Sequence, residues 1–263
     1  MELTVSGKKA YAYTGGKVFD AKLPSVIFVH GAQHDHSVWI LQSRYLAHHG
    51  YGVLALDLPG HGRSAGPALA SVGELADWVT AVQDAAGVKQ AAIVGHSMGS
   101  LIALECAALR RERVAKIALL AIAYPMKVSA DLLAATRDNE PLAQDMVNIW
   151  SHSAYAQYPN CPGPGFWVIG ENLRLMQRQK PGVMHVDFLA CNAYTGGGQA
   201  AAGVHCPALL LLARRDLMTP LRAARDFANS IAGAQTAVIE DSGHNMMAEK
   251  PDEVLDTLVA FLP

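Results

Sequence analysis

Gln90-Ala91-Ala92-Ile93-Val94-Gly95-His96-Ser97-Met98-Gly99 is the stretch on which the fold turns. An apolar run ends in a glycine, a serine follows two positions later, and a second glycine two positions after that. With glycine near 7% of residues, G-x-S-x-G arises by chance in about one chain in ten of this size, so spacing alone decides little. Its placement decides more. It follows a run that reads as a buried strand and opens a helical pattern over residues 98–110. A sharp strand-to-helix turn here lifts the Ser97 hydroxyl above a sheet, and the flanking small residues let strand and helix approach closely. Met98, at the start of that helix, can aim its backbone N–H at a developing oxyanion. The plainer alternative is a structural serine in a glycine-rich turn.

Similar apolar runs lie on either side: residues 25–29, 53–56, 114–121, 208–213 and 236–240. They are apolar throughout rather than alternating, as strands covered on both faces are. Helical patterns alternate with them over residues 38–49, 72–86, 98–110, 221–231 and 251–262, which predicts a parallel sheet with helices on both faces. Residues 2–6 and 10–14 read as an antiparallel hairpin on one edge. The rhythm breaks from about 124 to 203, a stretch with Pro125, Pro141, Pro159, Pro162, Pro164 and Pro181. It holds helical patterns over 141–152, 166–179 and 183–194, and the aromatic residues Trp150, Tyr155, Tyr158, Phe166 and Trp167. A structureless loop of that length is improbable, so a helical insertion is expected.

The 263 residues are 51% hydrophobic and 17% charged, with a formal net charge of -2. That composition excludes disorder and gives no electrostatic footprint for nucleic acid or acidic membranes. The N-terminus lacks a signal peptide's continuous apolar core, and no apolar run reaches the ~20 residues of a membrane span. Cys106, Cys161, Cys191 and Cys206 are scattered without a C-x-x-C pair and are expected to be reduced and mostly buried. A cytoplasmic protein follows.

A nucleophilic serine needs a base and a group to hold that base. Leu210-Leu211-Leu212-Ala213-Arg214-Arg215-Asp216 is a buried run ending in an acid, and Glu240-Asp241-Ser242-Gly243-His244 ends the next run in a histidine. In a parallel sheet the carboxyl ends of strands share one edge, so Ser97, Asp216 and His244 can meet there. Asp216 also suits a helix N-cap. His30-Gly31-Ala32 follows the first parallel strand, and a tight turn at Gly31 can aim the Ala32 N–H at the same oxyanion. His34, Asp35 and His36 tempt a metal assignment, but i, i+2 spacing on a loop lacking a third ligand is poor zinc geometry. A solvated loop is expected instead, with Asp35 or Ser37 capping the next helix. Asp57-Leu58-Pro59-Gly60-His61-Gly62-Arg63-Ser64 reads as a structural turn that Asp57 and Arg63 can brace. There is no G-x-G-x-x-G or Walker pattern, hence no support for a nucleotide.

Together these residues resemble the α/β-hydrolase superfamily: His30-Gly31, the Asp57–Ser64 turn, Gly95-His96-Ser97-Met98-Gly99, Asp216 with Thr219-Pro220, and Ser242-Gly243-His244. The order Ser, Asp, His is that of this fold. The resemblance implies an α/β-hydrolase fold, with residues 1–123 and 204–263 as core. Residues 124–203 then form a helical cap inserted after the sixth strand. It points to the serine esterase, carbon–carbon hydrolase and haloperoxidase-like branch and implies no cofactor; no metal is expected, on the spacing argument above. Ser97 stands where haloalkane dehalogenases and epoxide hydrolases of this fold carry aspartate. The expected chemistry is hydrolysis of a small-molecule acyl ester through Ser97, with Asp216 and His244 as its partners and Ala32 and Met98 N–H groups as oxyanion donors. Trp150, Phe166 and Trp167 are expected to line an enclosed, apolar pocket. Carbon–carbon, lactone and thioester cleavage stay open, as does a non-catalytic small-molecule receptor, and nothing in the sequence fixes the oligomeric state.

Overall fold

The computed structural model describes residues 1–157 and 166–262. Tyr158, Pro159, Cys161, Pro162 and Pro164 lie outside the described residues. An eight-stranded sheet runs through the molecule in the order β1-β2-β4-β3-β5-β6-β7-β8. Its strands are β1 (Glu2–Val5), β2 (Lys8–Tyr13), β3 (Ser25–Val29), β4 (Gly52–Asp57), β5 (Ala91–His96), β6 (Val114–Leu120), β7 (Ala208–Ala213) and β8 (Gln235–Ile239). β1 and β2 form the expected antiparallel edge hairpin, with β2 antiparallel to β4. Every pairing from β4 through β3 to β8 is parallel. The uniformly apolar strands β3, β4, β5 and β7 are buried along their whole length, whereas the edge strand β8 buries only Ile239.

Successive side chains alternate across the sheet. Ile27, Val29, Leu54, Ile93 and Leu119 face one side, packed with residues of α2 (Val72–Ala85) and α3 (Met98–Leu109). Val26, Phe28, Val53, Val94 and Leu120 face the other, packed with residues of α1 (Ile40–His48) and α11 (Pro251–Phe261). Between β6 and β7 come α4 (Ala130–Asp138), α5 (Glu140–Ser151), α6 (Val168–Gln177), α7 (Val183–Ala193) and α8 (Gly197–Gly203). α4 to α7 enclose a smaller apolar cluster of their own, including Leu132, Val147, Met176, Met184 and Phe188. α9 (Leu221–Ala228) and the single-turn α10 (Met246–Glu249) complete the chain.

Three expectations need correction. α4 and α8 had no counterpart among the expected helices. α9 stops at Ala228 rather than residue 231, capped where Asn229 N–H reaches the Arg225 and Phe227 carbonyls. The loop carrying His34, Asp35 and His36 is not solvated: His34 and Asp35 are buried against α6. Asp35 does cap the 3-10 turn His36–Trp39, accepting from Ser37 N–H.

Candidate active site

The chain leaves β3 on one side for β4 and returns to the other side as β5. Loops at the carboxyl ends of β3 and β5 therefore diverge, and a crevice opens between them. Ser97 sits there as the residue joining β5 to α3, with φ 55° and ψ −119°, a left-handed conformation that a serine adopts only when held. What holds it is close packing. A Cβ on Gly95 would lie 2.1 Å from the Gly99 carbonyl oxygen, and one on Gly99 would lie 2.2 Å from the Val29 carbonyl oxygen. Ser97 N–H donates to the Leu120 carbonyl at 2.9 Å, and the Ser100 hydroxyl bridges to the carbonyls of Gly95 (2.7 Å) and Leu120 (2.8 Å).

Asp216 and His244 emerge past the ends of β7 and β8. His244 Nδ1 lies 2.8 Å from Asp216 Oδ2, with both side chains buried. The carboxylate is itself fixed: Oδ1 accepts from Met218 and Thr219 N–H at 2.8 Å each, and Oδ2 accepts from the Thr219 hydroxyl at 2.6 Å. Asp216 thus caps its own turn and faces His244 at the same time. An acceptor at Nδ1 places the imidazole proton there and leaves Nε2 as the basic nitrogen. His96 steadies the loop, its Nε2–H donating to the His244 carbonyl at 2.9 Å. Burial drives the His96 pKa well down, so it stays neutral.

Ser97, His244 and Ala32 share one cavity of about 360 Å³. The Ala32 and Met98 N–H groups, from the loop after β3 and the first turn of α3, have no acceptor among the described residues. The walls are mainly apolar, with Met126, Leu132, Val147, Trp150, Phe188 and Leu217. Trp150, from α5, is thus one of the residues that line this cavity. Phe166 and Trp167 do not reach this cavity: they are 46% and 69% exposed. Phe166 lines a separate cleft beside Glu171 and Leu175, and Trp167 lies across Gly170, whose missing side chain makes room for the indole.

Two features escaped sequence reasoning. Thr219 braces the acid, and its position three residues after Asp216 was the available signal. His34 also lines the cavity. Its Nε2 lies 2.8 Å from Asn172 Oδ1, Asn172 Nδ2 donates to Asn148 Oδ1, and Asn148 Nδ2 donates to the Ile169 carbonyl. That chain ends on an obligate acceptor, so His34 Nε2 carries the proton. Burial lowers the His34 pKa to about 4 and keeps the ring neutral.

Asp35, His36 and Asp57 bring three potential ligand atoms within 4.8 Å of one another. Their donor capacity is already committed. Arg178 holds both oxygens of Asp35 (2.5–2.8 Å), and His36 Nδ1 lies 2.7 Å from Asp57 Oδ1. Asp57 also accepts from the His36 and Arg63 N–H groups at 2.9 and 2.8 Å. These residues suit a structural brace and not a metal. Arg63 joins that brace through its backbone, while its guanidinium lies over the Tyr11 ring.

The sequence model of the alpha/beta hydrolase family matches residues 26–257. The chain belongs to that family. Among relatives of this chain, the dihydrolipoyllysine-residue acetyltransferase component of the acetoin cleaving system of Pseudomonas putida is 28% identical over 248 residues. The match covers 90% of this chain and 63% of that protein. The chain thus spans less than two thirds of the length of the acetoin-system relatives it matches. The (E)-2-((N-methylformamido)methylene)succinate hydrolase of Acinetobacter baylyi is 23% identical over 244 residues, covering 90% of this chain and 89% of the relative. The enol-lactonase from Burkholderia xenovorans LB400 superposes with a TM-score of 0.87 at 23% identity, covering 100% of this chain and 99% of that one. The fold is thus shared with that enol-lactonase. Among the described residues, no helix is long and apolar enough to cross a membrane.

Proposed function

We propose that this alpha/beta hydrolase is a serine enzyme that cleaves small carboxylic esters through an acyl-enzyme on Ser97. The observation that carries the reading is the locked imidazole of His244. Its Nδ1 is committed to Asp216 while the residue faces the cavity it shares with Ser97. His244 Nε2 takes the Ser97 proton as Oγ attacks the acyl carbonyl, and the Ala32 and Met98 N–H groups receive the negative oxygen. His244 returns the proton to the departing alcohol. It then activates water, which releases the acid and restores Ser97. Asp216 favours the imidazolium formed in each half-reaction.

Residues 124–203 act in this reading as a cap over the carboxyl ends of the strands. The apolar walls that α4, α5 and α7 contribute to the cavity support that role. Such a cap favours soluble short- and medium-chain acyl groups over emulsified lipid. Lactone, thioester and carbon–carbon substrates use the same acyl-enzyme chemistry. A cytoplasmic setting suits the three free cysteines among the described residues, of which burial pushes the Cys106 pKa up to about 12. The test is kcat/KM for a series of p-nitrophenyl esters, with lactones, acyl thioesters and emulsified triglyceride alongside and Ser97→Ala as control. Turnover that is fastest on short soluble esters and abolished by Ser97→Ala is expected. Undiminished turnover by Ser97→Ala rules out the nucleophile. Preference for emulsions makes the protein a lipase, and no turnover of any acyl substrate favours a binding protein.

A further inference from the structure

His61, in the turn 57–64, and Asp187, on α7, lie 126 residues apart in sequence and meet in the interior, each side chain 1% exposed. His61 Nε2 is 2.8 Å from Asp187 Oδ2, and His61 Nδ1 is 3.1 Å from the Pro59 carbonyl oxygen. Both ring nitrogens face acceptors, so the arrangement requires a proton on each: an imidazolium paired with a carboxylate. Burial opposes that charge, and Asp187 overrides it, raising the His61 pKa. The neighbouring groups are consistent with this. His30, with ring centroids 4.9 Å from His61, accepts from Leu58 N–H at Nε2 and donates from Nδ1 to the Gly31 carbonyl. It is therefore neutral, with burial lowering its pKa to about 4. Asp57 adds to the field favouring the His61 cation, and Cys191, which feels the Asp187 charge, is held as the thiol by burial.

A buried ion pair is weak evidence for stability. This one has a second contact. Asp187 Oδ2 also accepts the Gln33 N–H at 2.8 Å. Gln33 is the residue after Ala32, and its φ of 58° is a conformation a glutamine keeps only under constraint. Its side-chain amide is held from α5 and α6 as well, by Glu140 Oε1 at 3.1 Å and the Met176 carbonyl at 3.0 Å. On the other side of Ala32, His30 Nδ1–H holds the Gly31 carbonyl at 2.8 Å. In a trans peptide C=O and N–H point opposite ways, so this bond directs the Ala32 N–H away from His30. The residues on either side of Ala32 are thus held, at the Gly31 carbonyl and the Gln33 N–H, while the Ala32 N–H between them has no acceptor among the described residues.

We infer that Asp187, paired with a protonated His61, is a positioning residue for the reaction. From the helical segment it clamps the Gln33 N–H and so holds the Ala32 N–H where the oxyanion forms. This rests on the reading of Ala32 as an oxyanion donor. Its consequence is that the inserted helices set catalytic geometry in the core as well as shaping the pocket.

The experiment uses the full chain with Asp187→Asn and, separately, His61→Gln. The first keeps the size of the side chain but cannot neutralise His61, and the second removes the cation while leaving Asp187. Each is assayed on p-nitrophenyl acetate for kcat and KM, and for inhibition by an alkylboronic acid, which forms a tetrahedral anion on serine. Displacing a donor by a fraction of an ångström to 1 Å is expected to lower kcat by roughly tenfold to 10²-fold. Boronate affinity falls in parallel and KM stays nearly constant. Nitrogen NMR of wild-type protein near pH 8 is expected to show both His61 ring nitrogens protonated. Unchanged kcat and boronate affinity in a folded variant overturn the inference, as does a neutral His61 ring. A loss of melting temperature without a catalytic change assigns the pair a structural role and also overturns it. If one variant fails to fold, the other and the NMR result decide. The parent reading fails separately, through a folded Ala32→Pro protein with normal kcat.

Discussion

Replacing Asp216 by asparagine probes the acid with little change of shape. Oδ1 receives two backbone N–H groups and Oδ2 faces His244 Nδ1 and the Thr219 hydroxyl, all at 2.6–2.8 Å. If the new NH2 took the Oδ1 position, it would confront two donors that cannot reverse. At the Oδ2 position it meets a hydroxyl that can rotate and an imidazole that can change tautomer. The second orientation is therefore preferred, and it moves the imidazole proton to Nε2, the nitrogen that must accept from Ser97. Loss of the correct tautomer in a comparable triad costs about 10⁴ in kcat. At 1.36 kcal/mol per tenfold, that is roughly 5 kcal/mol of transition-state stabilisation. The backbone bonds to Oδ1 survive, so the melting temperature should move little. The assay is kcat on p-nitrophenyl acetate from pH 6 to 10, beside thermal melting. A folded Asp216→Asn enzyme within tenfold of the wild-type rate would refute the assignment of Asp216 as the orienting acid.

Ala32→Pro deletes an oxyanion donor and should cost roughly 2.7–4 kcal/mol in kcat/KM, checked on protein of unchanged melting temperature. Gly95→Ala and Gly99→Ala each drive a Cβ to within 2.2 Å of a backbone carbonyl oxygen; each should destabilise by about 1–3 kcal/mol or more, read by urea denaturation. Stability should also fall in mild acid. Burial lowers the pKa of His30 and His34 to about 4, and it also holds that of His96 well below the ordinary imidazole value. Below about pH 6.5 the unfolded chain binds protons that these folded rings refuse. Their contribution is complete above the unfolded value and is lost as pH falls towards 4, by up to about 1.4 kcal/mol per pH unit for each group. His61, with a raised pKa, contributes in the opposite sense, and its share is lost as pH rises through its folded value. Urea midpoints between pH 4 and 8 check the sign.

The sheet was legible because buried parallel strands are written as uninterrupted apolar runs, and β3 to β7 carry that signature. Ser97, Asp216 and His244 were legible by position, each just past the end of such a run, where the topology brings them to one edge. Other features depend on partners distant in sequence. The pairing of His61 with Asp187 spans 126 residues and has no local periodicity to reveal it. His34 and Asp35 looked solvated because their partners, Asn172 on α6 and Arg178 just after its last turn, are distant in sequence. α8 is short and begins with two glycines, against its helix propensity, and is stabilised by packing of Ala200 and Ala201 on the core. α4 did carry a signal, Ser129 as N-cap followed by Asp131 in the first turn, within a stretch otherwise marked by prolines. Phe166 and Trp167 were misplaced because aromatic character alone does not say which face of a helical insertion meets the cavity.

The central claim, that Ser97 is an activated nucleophile, is tested most directly by intact-mass analysis after treatment with a fluorophosphonate, followed by peptide mapping. Wild-type protein should gain a single adduct on Ser97. Ser97→Ala should gain none, and Asp216→Asn should label far more slowly. An adduct on another residue, or equal labelling of Ser97→Ala, would contradict the account.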